Sequence, residues 1–103
     1  MVVIIFEVYP KSGKTDAYFD LAAELKPILE KQPGFIAVER FQSLNDERKL
    51  LSISSWENEE AVLNWRNNLA HQNAQNAGKN GIFDQYRIRV AQVIRDYDFD
   101  ASE

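Results

Sequence analysis

The apolar positions of this chain change period several times, and each change marks an element. Val2 to Tyr9 is a run of β-branched and aromatic residues with one charged member, Glu7, and it stops at Pro10 and a Lys11-Ser12-Gly13 turn, so it predicts a strand. From Thr15 the period lengthens: Tyr18, Leu21, Ala22, Leu25, Ile28 and Leu29 recur at three- and four-residue steps and share one helical stripe. Thr15 or Asp16 is expected to cap this helix, Pro33-Gly34 ends it, and Pro27 inside the pattern predicts a kink or a looser last turn.

Phe35 to Ser43 alternates as a strand, with Phe35, Ala37, Glu39 and Phe41 on one face and Ile36, Val38, Arg40 and Gln42 on the other. Asn45-Asp46-Glu47 is turn chemistry, and Leu50 to Trp56 reads as the second arm of an antiparallel hairpin. Asn58 is placed to cap a second helix, with Glu59 and Glu60 at its positive end and Val62, Trp65 and Leu69 on its apolar stripe. The amide-rich segment from His71 to Gly78 predicts a further helical turn or two ended by Gly78. Tyr86 to Tyr97 predicts a long last strand, with Tyr86, Ile88, Val90 and Ile94 on one side and Ala91 and Val93 on the other, and residues 98–103 an acidic tail.

The order is βαββαβ, the split arrangement of ferredoxin-like α+β folds, with an antiparallel sheet and both helices on one face. One domain over residues 1–97 is the expected organisation, because 103 residues leave no room for separate cofactor and substrate domains. A functional site must then lie between sheet and helices or at a subunit interface. An antiparallel sheet covered on one side leaves its other face to water unless a second subunit covers it, and a small domain gains stability from such cover, so a homodimer is expected.

A net charge of −4 argues against a role governed by phosphate contacts, and hence against a nucleic-acid partner. Arg87, Arg89 and Arg95 lie at strand spacing, which reads as a solvated or ion-paired face rather than a basic patch. The absence of Cys excludes disulfides, a thiol nucleophile and thiolate metal sites. No apolar stretch approaches the roughly 20 residues of a membrane span and no basic leader precedes MVVIIFEV, so a cytoplasmic protein without a membrane partner is expected. No Gly-rich phosphate fingerprint or G-x-S-x-G elbow occurs.

An ordered set of short pieces resembles the antibiotic biosynthesis monooxygenase family of dimeric α+β barrels: Pro33-Gly34-Phe35, Leu51-Ser52-Ile53-Ser54-Ser55-Trp56 with Glu60-Ala61, Trp65-Arg66 with His71, Phe83, Tyr86-Arg87, and Arg89-Val90 to Tyr97. The resemblance implies a homodimer with its sheets face to face and a small-molecule pocket in each subunit. It also implies a choice of chemistries: cofactor-independent oxygenation of a small electron-rich aromatic or quinol-like compound, haem binding or degradation, or a non-catalytic binding module. Haem-degrading members carry an Asn on the first strand and a His about ten residues after the helix Trp. Here the first strand has no Asn, and His71 follows Trp65 by six residues, about 240° around an unbroken helix.

The site residues this suggests are His71, Trp65 and Asn64 as catalytic candidates, with Asn68, Tyr18, Tyr86 and Glu7 lining the pocket. His71 is the only His and the only side chain whose ordinary pKa lies near neutrality, so it can serve as acid, base or donor at the pocket rim. Trp65 sits on an apolar stripe, which fits core packing as well as a cavity wall. Glu7 and Glu39 interrupt strand patterns; either becomes a base if buried among apolar groups, and either can instead face solvent. No cofactor is expected on the oxygenase reading, and haem on the alternative.

Overall fold

The computed structural model describes residues 1–71 and 81–102, and of residues 70 and 71 the backbone only. Four strands, β1 (Val2–Pro10), β2 (Phe35–Gln42), β3 (Leu50–Trp56) and β4 (Phe83–Gln92), form one antiparallel sheet in the order β2-β3-β1-β4. Helices α1 (Thr15–Glu30) and α2 (Glu59–His71) complete the βαββαβ order. Neither is long and apolar enough to cross a membrane.

β1 is central and apolar on both faces, which explains why its sequence is a near-continuous hydrophobic run and not an alternation. Its even positions take the helix side. Val2 and Ile4 pack with Leu29, Trp56, Val62 and Trp65 in one core cluster, while Phe6 and Val8 pack with Tyr18, Leu50 and Phe83 in a second. The odd positions, Val3, Ile5, Glu7 and Tyr9, therefore face away from the helices.

Both helices follow their sequence signals, with one difference at α1. The Asn58 Oδ1 accepts a hydrogen bond from the Ala61 amide at 2.9 Å, with Glu59 and Glu60 in the first turn, so α2 is capped as expected. At α1 the cap position falls on Lys14, which makes no side-chain capping bond; Thr15 and Asp16 already belong to the helix. Pro27 lies in the last turn, where α1 continues for only three more residues, to Glu30.

Two strand expectations are corrected. Ile36 is a bulge: Phe35 pairs with Trp56 and Ala37 already pairs with Ser55. The extra residue turns Phe35 to the helix side, where its ring meets Trp56 edge-on at 5.4 Å, and leaves Ala37, Glu39 and Phe41 on the other face. The last strand spans Phe83–Gln92 and not Tyr86 to Tyr97. Its limits are set by its neighbour: Gln92 pairs with Val2, the Val93 amide donates to the Met1 carbonyl, and beyond that β1 offers no further rung. At the other end Phe83 is held opposite Pro10 after a register shift.

Candidate functional site

The helix side of the sheet is unevenly covered. α1 packs on β2, and α2 packs on β1 and β3, so the helix-side residues of β4 keep much of their surface: Tyr86 is 57%, Ile88 55% and Val90 51% exposed. These three pair with Val8, Phe6 and Ile4, all on the helix side, so they form a ledge continuous with the core. Four aromatic rings close one end of the ledge. The Phe6 ring lies 5.7 Å from Tyr86, 6.0 Å from Phe83 and 6.5 Å from Tyr18, and Phe83 contacts both tyrosines edge-on at 5.8 and 5.9 Å. Edge-on and tilted contacts present the positive ring edges to the negative ring faces, the favoured arrangement of aromatic pairs.

Tyr18 is the polar group of this cluster. It is buried, and burial pushes its phenol above the ordinary tyrosine range, against the opposing charge and hydrogen bond of Arg40. The hydroxyl thus stays protonated at neutral pH and can donate a hydrogen bond to a developing oxyanion. Phe6, Phe83 and Arg40 were not singled out by sequence as pocket residues. Neither Phe6 nor Arg40 was legible: β1 is apolar on both faces, so nothing in its sequence marks Phe6 as helix-side, and Arg40 is placed there by pairing with Ser52, which also pairs with Phe6.

The other candidates separate. Trp65 is 7% exposed and stacks on Trp56 with centroids 6.2 Å apart, so its ring fills core. Asn64 is exposed on α2, and Asn68, one turn on, is half-buried. α2 runs unbroken from Glu59 to His71, so no interruption at Asn67-Asn68 carries His71 round to the Trp65 side. The His71 side chain and the segment from Gln72 to Gly78 lie outside the described residues.

Glu7 does not belong to the helix-side site, because its odd position in β1 places it on the opposite face. There it accepts a hydrogen bond from Arg89 Nη1 at 2.8 Å and lies 3.6 Å from Lys49 Nζ. Burial alone would raise its pKa, but Arg89 and Lys49 together outweigh that and hold the carboxyl below its ordinary value. A depressed folded-state pKa contributes stability that is fully present above the unfolded value, about 4.3, and is lost as pH falls through the folded value. Glu7→Gln is therefore expected to lower the melting temperature modestly at pH 7, and the gap from the native chain is expected to close as pH falls through the folded value, so that the variant's acid limb is flatter. An unchanged acid limb would remove the pair from the account.

The sequence profile of the antibiotic biosynthesis monooxygenase family matches residues 1–77. The chain belongs to this family. It is 37% identical over 93 residues to a jasmonate monooxygenase of Pyricularia oryzae, an alignment that takes in 90% of this chain but only 43% of that protein, so the chain spans less than half of its relative's length. In fold it is similar to a family protein from Deinococcus radiodurans, with a TM-score of 0.79, 13% identity and coverage of 98% of this chain and 100% of the other. It is also similar to a point variant of MhuD solved with two manganese protoporphyrin IX bound per active site, with a TM-score of 0.75, 23% identity and coverage of 96% and 100%.

Proposed function

We propose that this domain is a cofactor-independent monooxygenase for a small electron-rich compound, and that it acts as a homodimer. The observation that carries the reading is the ledge of Tyr86, Ile88 and Val90, ending in the Phe6, Tyr18, Phe83 and Tyr86 cluster. Such a surface stacks a flat aromatic or quinol-like molecule and sets one phenol donor against its oxygen. Activated-methylene substrates of this kind supply all the electrons themselves. A base removes a C–H proton, the carbanion bonds to dioxygen, and the peroxide loses water to leave a carbonyl, so one oxygen atom is retained and the other leaves as water. The protein's share is to raise the acidity of that C–H through the Tyr18 hydrogen bond and to hold the reacting face. His71, at the end of α2, is the residue we assign as base or proton carrier.

The haem reading draws on the likeness to MhuD. The residues present do not reproduce the set that haem-degrading relatives carry: β1 has no Asn, and His71 follows Trp65 by six positions on a continuous helix. The dimer rests on the other sheet face, where Val3, Ile5, Leu51, Ile53 and Phe41 surround the Glu7 ion pairs; a second sheet laid against it would bury this apolar surface.

The test is oxygen uptake with a panel of anthrones, quinols and polyphenols, with jasmonate included because of the Pyricularia relative. Turnover with a compound of the first kind is expected, falling at least tenfold in His71→Ala and about a hundredfold in Ile88→Asp, the latter with folding intact because Ile88 is half-exposed and belongs to neither core cluster. A Soret shift on adding haem that vanishes in His71→Ala would favour the haem reading. No uptake and no ligand-dependent melting shift across the panel would leave a binding module.

A further inference from the structure

The line of residues that carries Phe6 across the sheet has a charged end. Arg40 pairs with Ser52, Ser52 with Phe6, and Phe6 with Ile88, so the four share one row and all face the helices. Arg40 stands at one end and Ile88 of the ledge at the other, three strand spacings or about 14 Å apart. An extended arginine side chain covers a good part of that span. Tyr18 lies against the same row, its ring 6.5 Å from Phe6, and the packing of α1 on β2 brings it to the Arg40 end.

Chemistry fixes the direction of the bond between Arg40 and Tyr18. A guanidinium carries five N–H donors and no acceptor, and it keeps its charge at any ordinary pH, so the phenol oxygen accepts and the phenol proton is left to be donated elsewhere. An oxygen that accepts from a cation is also a stronger donor, because the two bonds polarise each other. Among the described residues both salt bridges are made by Glu7, so no carboxylate cancels the Arg40 charge. Around Arg40, α1 contributes the uncharged Thr15 and Phe19, and the turn between β2 and β3 contributes Glu47 and Arg48, one charge of each sign. Arg48 is turned to the Tyr9 ring, 5.6 Å from its centroid, which leaves Arg40 as the cation that serves the Tyr18 hydroxyl.

We propose that Arg40 is a positioning residue that holds the Tyr18 hydroxyl as a donor, so that the site selects its ligand by an ionised oxygen, a phenolate or enolate, conjugated to a flat ring lying along Phe6 and Ile88. This rests on the ledge being the ligand site, as in the oxygenase reading, and specifies which end of the ligand is recognised. An ether oxygen in the same place gains far less from the two linked bonds, and a protonated amine is repelled by the guanidinium. For a substrate whose C–H must be made acidic, the oxygen that gathers the negative charge sits at the Tyr18 hydroxyl and the reacting carbon lies on the ledge side of it.

The probe is 4-nitrophenol, a flat ring whose phenolate colour reports its own ionisation. Bound to the native chain, the dye is expected to ionise about one pH unit below the free dye, about a tenfold preference for the phenolate. Arg40→Leu, at an exposed position, is expected to abolish most of that shift, and Tyr18→Phe likewise, whereas Arg40→Lys restores part of it and Arg48→Leu leaves it unchanged. 4-Nitroanisole, the same ring without an ionisable oxygen, is expected to bind at least tenfold more weakly than the phenolate to the native chain and equally weakly to Arg40→Leu. No saturable binding of the dye, an unshifted dye, or an equal loss in Arg48→Leu overturns the assignment. The result is separate from oxygen uptake: a shifted dye with no uptake across the substrate panel keeps the oxyanion site and removes the oxygenase reading, and uptake with an unshifted dye does the reverse.

Discussion

Trp56→Ala is expected to lower stability by about 3–5 kcal/mol, a large share of the roughly 5–15 kcal/mol typical of a small domain. Trp56 ties the larger core cluster together. It is 0% exposed, stacks on Trp65, meets Phe35 edge-on, and donates from Nε1 to Ser54 Oγ at 2.9 Å. Truncation removes the ring and also leaves the buried Ser54 hydroxyl without its partner, so the void and the orphaned polar group add. Trp56→Phe keeps most of the volume but loses the donor, and is expected to cost less than half as much. Equilibrium denaturation in urea measures both. Equal losses from the two variants would mean that the hydrogen bond, and not the packing, dominates.

Gly34→Ala comes next, with an expected loss of about 2–4 kcal/mol from two separable causes. Gly34 has φ of +82°, in the left-handed region, and a Cβ placed there would sit 2.6 Å from the Ala61 Cβ on α2. The close approach is itself held by the Glu57 amide, which donates to the Gly34 carbonyl at 2.8 Å and ties the start of β2 to the entry of α2. Ala61→Gly in the Gly34→Ala background removes the clash but not the backbone strain, and it adds the helix cost of glycine, up to about 1 kcal/mol. Partial recovery of the urea midpoint is the expected result. No recovery would assign the whole loss to φ.

The element order was legible because each segment carries an unambiguous period and its own stop signal, as with the stripe from Tyr18 to Leu29 before Pro33-Gly34, or Asn58 ahead of Glu59 and Glu60. Facing was not legible in β2, because one inserted residue, Ile36, inverts the assignment of Phe35 and leaves no mark in composition. The ends of β4 were missed for a related reason. Alternation continues through Ile94 and Tyr97, but a strand lasts only as long as its neighbour pairs with it, and β1 is exhausted at Val2. Tyr18 and Tyr86 do meet in one aromatic cluster, whereas Glu7 and Trp65 fall to the opposite face and to the core. The reading of Arg87, Arg89 and Arg95 as a solvated or ion-paired strand face holds for Arg89, which binds Glu7 on the neighbouring strand, whereas Arg95 lies beyond the end of β4.

The core is divided along β1 into a larger cluster around Trp56 and a smaller one of Val8, Tyr18 and Leu50, and the two ends of the domain are therefore unequally cohesive. Opening at the smaller end breaks the aromatic contacts of Phe6, Phe83 and Tyr86 while the tryptophan pair and the α2 contacts stay intact. On the proposed function, the end that takes the ligand is thus the end held by the smaller cluster, where local opening leaves the larger cluster in place. A ledge placed in this way would be reshaped through Tyr86, Ile88 and Val90 without touching the tryptophan cluster, which is a physical route by which one small scaffold would come to serve different substrates.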